Sequence, residues 1–380
     1  MKIVVAPDSF KENLSAREVA EALATGVRDV LPDADVVVVP MADGGEGTVQ
    51  ALVDATGGRF ETRQVTAPLG DETSARFGIL GDGSTAVIEM AAASGLPLVP
   101  ADRRNPLVTT TFGTGELIRA ALDAGVDKVL IGIGGSATVD GGAGMAAALG
   151  AKLLDADGND IPPGGAGLAK LDRIDVSALD PRVASTVVEA ACDVDNPLTG
   201  ETGAARVYGP QKGATPEQVE TLDAALGNFA RVVRRDLDIA VDTVPGSGAA
   251  GGLGAGLVAF LSATLRLGVD MVVEAVDLEA NLADADLVIT GEGRMDRQSA
   301  FGKTPVGVAA AAKKHDVPVV AVVGQLGDGA ETVLAHGIDA IFSIHDGPMT
   351  LEEAFERSPE LLRRSAANVV RLFLIGRTKR

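Results

Sequence analysis

Short runs of apolar residues alternate along this chain with stretches of helical periodicity. Such runs predict strands that are buried on both faces, because a strand inside a parallel sheet has no solvent side. The alternation of these strands with helices is typical of an α/β protein with a mainly parallel sheet. The clearest predicted strands are Lys2–Ala6, Val36–Met41, Lys128–Ile133, Leu287–Thr290, Val317–Val323 and Ala340–Ile344.

Capping boxes indicate where helices start. In a capping box, the hydroxyl of the first residue accepts a hydrogen bond from the backbone N–H three residues later, and the side chain of that later residue accepts one from the backbone N–H of the first. Three pairs fit this pattern: Ser15 with Glu18, Thr215 with Gln218, and Thr350 with Glu353. Each is expected to open a helix.

The middle third of the chain has a different pattern. Glu61–Pro68, Arg76–Leu80 and Thr85–Met90 read as strands joined by tight turns, and Ala151–Asp155 reads as the start of a hairpin closed by Asp157 and Gly158. We therefore predict an α/β domain formed by residues 1–66 and 284–380. A second, more antiparallel α+β domain, residues 67–283, is predicted to be inserted into it.

Composition narrows the class of protein. The 380 residues carry 53 acidic and 33 basic side chains, a net charge of −20, with no block of five basic residues, which argues against nucleic-acid and membrane partners. Cys192 is the single cysteine, so an intramolecular disulfide and a cysteine-based zinc site are excluded. No signal-peptide pattern and no apolar run of about 18 residues is present, so we expect a cytoplasmic protein.

The chain contains 47 glycines among its 380 residues, a larger share than the usual ~7%. They cluster in loops after predicted strands. Glycine lets backbone N–H groups approach a phosphate, and the accompanying acidic and hydroxyl side chains suit a divalent cation. This combination, repeated in several loops, indicates phosphoryl transfer. The loops are 7–11, 43–48, 134–142, 192–197 and 291–296, with a further glycine-rich loop at 245–256.

Two nucleotide-binding motifs are matched only in part. Gly302-Lys303-Thr304 resembles the end of a P-loop, but the required first glycine is replaced by Arg297, so at most Lys303 could contact phosphate. The segments 132–137 and 246–251 fit the dinucleotide fingerprint. Further glycines interrupt the helix after the first segment and no good strand precedes the second, so NAD binding is not expected. The three histidines and Cys192 are predicted to have no catalytic role.

Taken together, eight segments resemble the bacterial glycerate kinase family, the glycerate 2-kinase type. The resemblance spans nearly the whole chain, and the segments occur in the family's order. They are Ala6–Lys11, Ala42–Thr48, Gly113–Ile118, Gly134–Thr138, Cys192–Leu198, Gly209–Ala214, Gly246–Gly254 and Thr290–Arg294.

The resemblance implies magnesium-dependent phosphorylation of D-glycerate by ATP, with 2-phospho-D-glycerate as the product. It also implies a Rossmann-like, three-layer domain with a second α/β domain, and an active site in the cleft between them. The expected partners are these small molecules alone, bound by a monomer or a homodimer.

Within this resemblance, the residue roles are our own hypothesis. Asp8 or Asp193 accepts the hydroxyl proton, while Lys11, Arg294 and Lys212 neutralise phosphate and carboxylate charge. Glu292 and Asp296 hold the metal ion, with Asp193 as a possible third ligand. Phosphate and substrate are bound by Ser9, Gly44, Gly45, Glu46, Gly134, Gly135, Ser136, Asn196, Lys212, Gly291, Gly293 and Lys303.

Three alternatives stay open at this point. The chain could phosphorylate a related small hydroxy acid, or it could form 3-phosphoglycerate. It could also be a non-catalytic protein that binds a nucleotide or an organic acid, although its acidic and basic loop residues are intact.

Overall fold

The structure is a computed structural model that describes residues 1–377. Its strands are β1 (Lys2–Val5), β2 (Asp35–Val38), β3 (Arg59–Thr66), β4 (Glu72–Ile79), β5 (Thr85–Glu89), β6 (Lys128–Gly132), β7 (Lys152–Leu154), β8 (Arg173–Asp175), β9 (Val187–Ala191), β10 (Thr264–Arg266), β11 (Leu287–Thr290), β12 (Arg294–Met295), β13 (Val319–Val323), β14 (Gln325–Leu326) and β15 (Ala340–Ser343). Its α-helices are α1 (Ala16–Val30), α2 (Thr48–Thr56), α3 (Ala91–Ser94), α4 (Phe112–Asp123), α5 (Ala143–Ala148), α6 (Ala204–Tyr208), α7 (Pro216–Leu237), α8 (Ala249–Leu261), α9 (Gly268–Ala275), α10 (Leu278–Leu282), α11 (Thr304–Lys313) and α12 (Leu351–Arg377).

The chain forms two compact units. Unit 1 comprises residues 1–43, 50–57 and 268–377, and unit 2 comprises residues 44–49 and 58–267. The division into domains at about residues 66 and 283 stays a prediction.

Unit 1 contains a five-stranded sheet in the order β15-β13-β11-β1-β2, in which every neighbouring pair is parallel. Alternate strand residues such as Ile3 and Leu287 share a core with α1 and α12, while the intervening Val4 and Val288 are equally buried. The strands are therefore covered on both faces. Helices α1 and α12 approach closely at Gly26, where a Cβ atom would lie 2.0 Å from the Arg363 carbonyl oxygen.

The strand order of this sheet reverses between β1 and β11. From β1 the chain proceeds to β2 on one side, and from β11 it proceeds through β13 to β15 on the other. Loops diverge at such a point and leave a crevice at the carboxyl ends of the strands, which is where open parallel sheets bind ligands. The loops after β1 and β11 meet there, since the Asp8 N–H donates to the Gly291 carbonyl at 2.8 Å.

Unit 2 contains a six-stranded sheet in the order β10-β9-β6-β5-β4-β3. Strands β10, β9, β6 and β5 are parallel, whereas β4 and β3 pair antiparallel at the edge. An α/β fold with mostly parallel sheets is thus confirmed. The predicted antiparallel character of the middle third is limited to the edge formed by β3, β4 and β5, because β5, β6, β9 and β10 are parallel. The core includes Phe77, Ile88, Leu117, Ile131 and Phe229.

The predicted hairpin at β7 is confirmed, and it is short. The Gly158 N–H donates to the Asp155 carbonyl at 3.0 Å in the turn, the Ile161 N–H donates to the Leu153 carbonyl at 2.9 Å, and Leu154 forms an antiparallel bridge with Asp160. Pro162 and Pro163 follow and have no N–H to donate, so the ladder ends. Strand β7 also pairs with β8.

The predicted helix caps differ in completeness. Ser15 and Thr215 form reciprocal capping boxes at the starts of α1 and α7. Thr350 accepts the Glu353 N–H at 3.2 Å, but the Glu353 carboxylate bonds to Arg357 further along the helix. Within residues 1–377, no helix combines the length and apolarity needed to cross a membrane.

Candidate active site

A cavity of about 780 Å³ opens in unit 1 where the loops after β1 and β11 meet. The structure brings together here many of the residues predicted from sequence. They are Asp8, Ser9, Lys11, Glu292, Gly293, Arg294, Asp296 and Lys303. Gly291 lies beside them at the end of β11. These residues come from opposite ends of the chain, and the parallel pairing of β1 with β11 places them side by side.

Asp8 is a buried carboxylate, 8% exposed, held by short hydrogen bonds. Its Oδ1 accepts the Ser9 N–H at 2.6 Å, and its Oδ2 accepts the Thr304 hydroxyl at 2.6 Å. Burial, aided by the charge of Asp43, raises the pKa of Asp8 to about 6, against the opposing effects of Thr304, Ser9 and Lys11. A carboxylate with this pKa is ionised at neutral pH and is more basic than an exposed one, which suits a general base.

Glu292 is the second buried carboxylate, 7% exposed. Burial, and to a lesser degree the charges of Asp8 and Asp43, raise its pKa to about 7, although Ser299 and Lys303 act in the opposite direction. The Lys303 Nζ lies 3.9 Å from Oε2, while Oε1 has no hydrogen-bond partner among residues 1–377. A buried oxygen left unpaired is costly, so Glu292 is suited to contact a cation or a proton donor.

Sequence reasoning missed two residues of this cluster. Asp43 follows β2 and its charge raises the pKa of both Asp8 and Glu292. The sequence did contain a signal for Asp43, because it is the acidic residue that begins the glycine-rich loop 43–48. Thr304, the last residue of the incomplete P-loop match, donates its hydroxyl to Asp8. Nothing local in the sequence indicates that contact.

Arg294 and Asp296 lie at the rim of the same cavity. The exposed Arg294 Nε is 3.5 Å from Asp296 Oδ2, and Asp296 Oδ1 accepts the Gln298 N–H at 2.9 Å to cap a short 3₁₀ helix. Among residues 1–377, no group of three or more His, Cys, Asp or Glu side chains is arranged to hold a metal ion. The metal site formed by Glu292, Asp296 and Asp193 stays a prediction.

In unit 2, Lys212 is buried, with 2% exposed, and contacts the loop after β6. Its Nζ donates to Ser136 Oγ at 3.0 Å and to the Thr138 carbonyl at 2.7 Å. Burial lowers the pKa of Lys212 to about 7, although Asp140 opposes this shift. Gly134 and Gly135, in the same loop, are exposed.

The loop carrying Gly44, Gly45 and Glu46 is held at the ends of β5 and β6. The Glu89 Oε1 accepts the N–H groups of Gly47 and Val49, each at 3.0 Å. At Gly132 a Cβ atom would lie 2.6 Å from the Gly44 carbonyl oxygen, so only glycine permits this approach. Burial is the main cause that raises the pKa of Glu89.

The loop after β9 holds the remaining predicted residues, Asp193 and Asn196. Asp193 is exposed. The Asn196 amide is engaged within unit 2, where its Nδ2 donates to the Thr202 carbonyl at 2.8 Å and its Oδ1 accepts the Tyr208 hydroxyl at 2.6 Å. These contacts give Asn196 a part in shaping its own loop.

Comparisons with known proteins identify the family of this chain. Residues 3–374 match the model of the glycerate kinase family. The chain is 56% identical to a glycerate kinase of Bacillus subtilis, with 100% of this chain and 99% of the relative covered. It is 54% identical to the glycerate 2-kinase of Escherichia coli, with 99% of each covered.

A solved structure shows the same fold. A crystal structure assigned as a glycerate kinase 2 from Salmonella typhimurium LT2 superposes with a TM-score of 0.93 at 55% identity, covering 100% of this chain and 99% of that one. This chain belongs to the glycerate kinase family.

Proposed function

We propose that this protein transfers the γ-phosphoryl group of ATP to the C2 hydroxyl of D-glycerate, forming 2-phospho-D-glycerate and ADP. The relatives named as glycerate kinase and glycerate 2-kinase support the substrate and the position. The observation that carries the chemistry is the buried carboxylate Asp8, poised near neutral pKa in a cavity that also contains Lys11 and Lys303.

Asp8 is the proposed general base. A substrate hydroxyl must lose its proton as its oxygen bonds to phosphorus, and a carboxylate within hydrogen-bond reach can accept that proton. Ser9 and Thr304 fix both oxygens of Asp8 and so set its orientation. The exposure of Asp193 supports Asp8 in this role over the other candidate.

Lys11, Lys303 and Arg294 are the proposed partners of the phosphate and carboxylate charges. The transferred group spreads negative charge over its equatorial oxygens, and nearby cations stabilise that charge. Arg294 is exposed at the rim, where its guanidinium can grip an anionic oxygen pair.

Magnesium fits the donor set of this cavity. Its acidic lining residues, Glu12 among them, outnumber its basic ones, so a polyphosphate alone would be repelled. Glu292 offers an unpartnered carboxylate oxygen, and Mg²⁺ is commonly held by one or two carboxylates together with substrate phosphates. We propose that Glu292 and Asp296 hold the ion; bound there, Mg²⁺ would neutralise phosphate charge.

Lys212 is proposed to act on ligand binding through the loop that it holds. Its amine donates to Ser136 and to the Thr138 carbonyl, which immobilises the segment after β6. Gly134 and Gly135 then present their backbone in a fixed arrangement, as phosphate-binding loops require. Lys212 is therefore a positioning residue in this scheme.

The proposal also covers the domains, the location and the oligomeric state of the enzyme. We propose that residues 1–66 and 284–380, which contain the parallel sheet covered on both faces, form the Rossmann-like domain, and that residues 67–283 form the inserted domain. We further propose that the enzyme works in the cytoplasm, as a monomer or homodimer, on small molecules alone. The lack of basic clusters supports this view of its partners.

The direct test is an enolase-coupled assay with purified protein, D-glycerate, ATP and magnesium. Phosphoenolpyruvate is followed by ultraviolet absorbance, with phosphoglycerate mutase left out. A signal that requires all three additions supports phosphorylation at the 2-position. Glycerate-dependent ADP release without phosphoenolpyruvate would move the phosphate to the 3-position. If neither is seen, the glycerate assignment is wrong, and a panel of related hydroxy acids separates another kinase from a non-catalytic binder.

A further inference from the structure

The cavity of unit 1 has a second, apolar wall that the proposed chemistry does not use. Ile344 at the end of β15, Met349 before α12, and Leu351, Ala354 and Phe355 in the first turns of α12 all line it. Leu351 is 70% exposed. Single exposed leucines are common, but several large apolar side chains along one wall of a polar cavity indicate a hydrophobic ligand surface.

The sheet places this wall at a distance from the carboxylates. β15 is the edge strand. One strand, β13, lies between β15 and β11, and two strands, β13 and β11, lie between β15 and β1. Since neighbouring strands lie about 4.8 Å apart, the wall stands about 10–14 Å along the sheet edge from Glu292 and Asp8. A three-carbon acid cannot span that distance, whereas a nucleoside triphosphate is long enough.

The segment that forms the wall is held in place. Asp346 pairs with Arg357 at 3.1 Å and with Arg364 at 2.7 Å, which ties the chain before Met349 to α12. Thr350 caps the first turn of α12. The wall is therefore a preformed surface.

Charge distinguishes which part of a nucleotide fits here. Glu352 and Glu353 lie in the first turn of α12 and are unfavourable neighbours for a phosphate. The basic residues come instead from other elements: Lys11 from the loop after β1, Lys303 from the start of α11, and Arg294 from the first position of β12. The phosphates thus belong with the lysines, and the uncharged base belongs at the apolar wall.

We infer that Ile344, Met349, Leu351, Ala354 and Phe355 form the subsite for the base of the phosphoryl donor. This inference rests on the proposed function, since it takes the donor to be ATP. The flat face of adenine would lie against these apolar side chains, and the triphosphate would extend along the carboxyl ends of β13 and β11 toward Glu292.

The test uses Leu351→Ser and Leu351→Asp, because an exposed side chain can be changed without unfolding the protein. Calorimetry measures the binding of adenylyl imidodiphosphate with magnesium, and separately of inorganic tripolyphosphate, which has no base. We expect the analogue to bind about threefold more weakly to Leu351→Ser and about tenfold more weakly to Leu351→Asp. Tripolyphosphate binding to Leu351→Ser and the KM for D-glycerate should stay unchanged.

Leu372→Asp is the matched control, because Leu372 is also exposed, at 58%, on the same helix and does not line the cavity. Unchanged affinity of the analogue for both Leu351 variants would overturn the subsite, as would an equal loss for tripolyphosphate in Leu351→Ser. A wild type that does not bind the analogue would overturn it too. A wild type that binds the analogue but does not phosphorylate glycerate would refute the proposed function, while the binding comparison would still decide the subsite.

Discussion

Replacing Thr304 by valine should move the acidic limb of the pH–rate profile toward higher pH. The Thr304 hydroxyl donates to Asp8 Oδ2 at 2.6 Å, and this contact lowers the pKa of Asp8 against the larger effect of burial. Valine has nearly the same shape and no hydroxyl, so it removes the hydrogen bond and leaves the packing in place. Without that donor the carboxylate is harder to ionise, and the base is protonated over a wider pH range.

The size of the shift follows from the energy of the lost contact. A hydrogen bond to a charged group contributes about 1.5–3 kcal/mol, which corresponds to about one to two pKa units. From its value of about 6, the pKa of Asp8 should therefore rise to about 7–8. At pH 7 the ionised fraction, and with it kcat/KM, should fall about fourfold for a pKa of ~7.5 and recover above pH ~9.

The assay is kcat/KM for D-glycerate between pH 5 and 10 at saturating ATP and magnesium, with Thr304→Ser as the control that keeps the hydroxyl. The serine variant should retain the wild-type limb. A limb that does not move in Thr304→Val, or an activity loss that is equal at every pH, would refute the assignment of Asp8 as the base.

Three further predictions concern other contacts. Asp8→Asn should lower kcat by at least ~10²-fold, because it removes the proposed base. The same variant should raise the free energy of unfolding at pH 7 by about 1–3 kcal/mol, because the raised pKa of Asp8 means that its ionised form destabilises the fold above pH 6. A loss of stability in urea unfolding would contradict this. The unfolding free energy of the wild type should rise from pH 7 toward 10.5 by up to about 1.4 kcal/mol per pH unit through Lys212, since its lowered pKa means that the unfolded chain binds more protons there. Lys212→Met should lack this slope, and identical slopes for the two proteins would contradict the burial of a neutral amine. Gly132→Ala should raise the KM for ATP or for D-glycerate while the circular dichroism spectrum stays unchanged. The reason is that the added Cβ would lie only 2.6 Å from the Gly44 carbonyl oxygen and would displace it. If neither KM changes, loop 43–48 is not at the site.

Strand positions were predictable because burial on both faces leaves a local pattern. Leu287–Thr290 was predicted with the bounds that the structure has, and β1 differs by one residue. β2 ends at Val38, two residues before Pro40, although the apolar pattern continues to Met41. The turn at Asp157 and Gly158 is a local signal of the same kind, whereas nothing local indicates that β7 also pairs with β8.

Sequence patterns alone indicate that this is an α/β protein, that its glycine and acidic residues follow the strands, and which family it resembles. Each of these depends on residues close together in the chain, where backbone conformation and burial impose a short repeat. Three contacts become visible only in the folded chain: Thr304 donates to Asp8, Asp43 raises the pKa of Glu292, and Lys212 is buried against Ser136. The Thr304 contact joins residues 296 positions apart, and such pairs are brought together by sheet order, which no local pattern of side chains encodes.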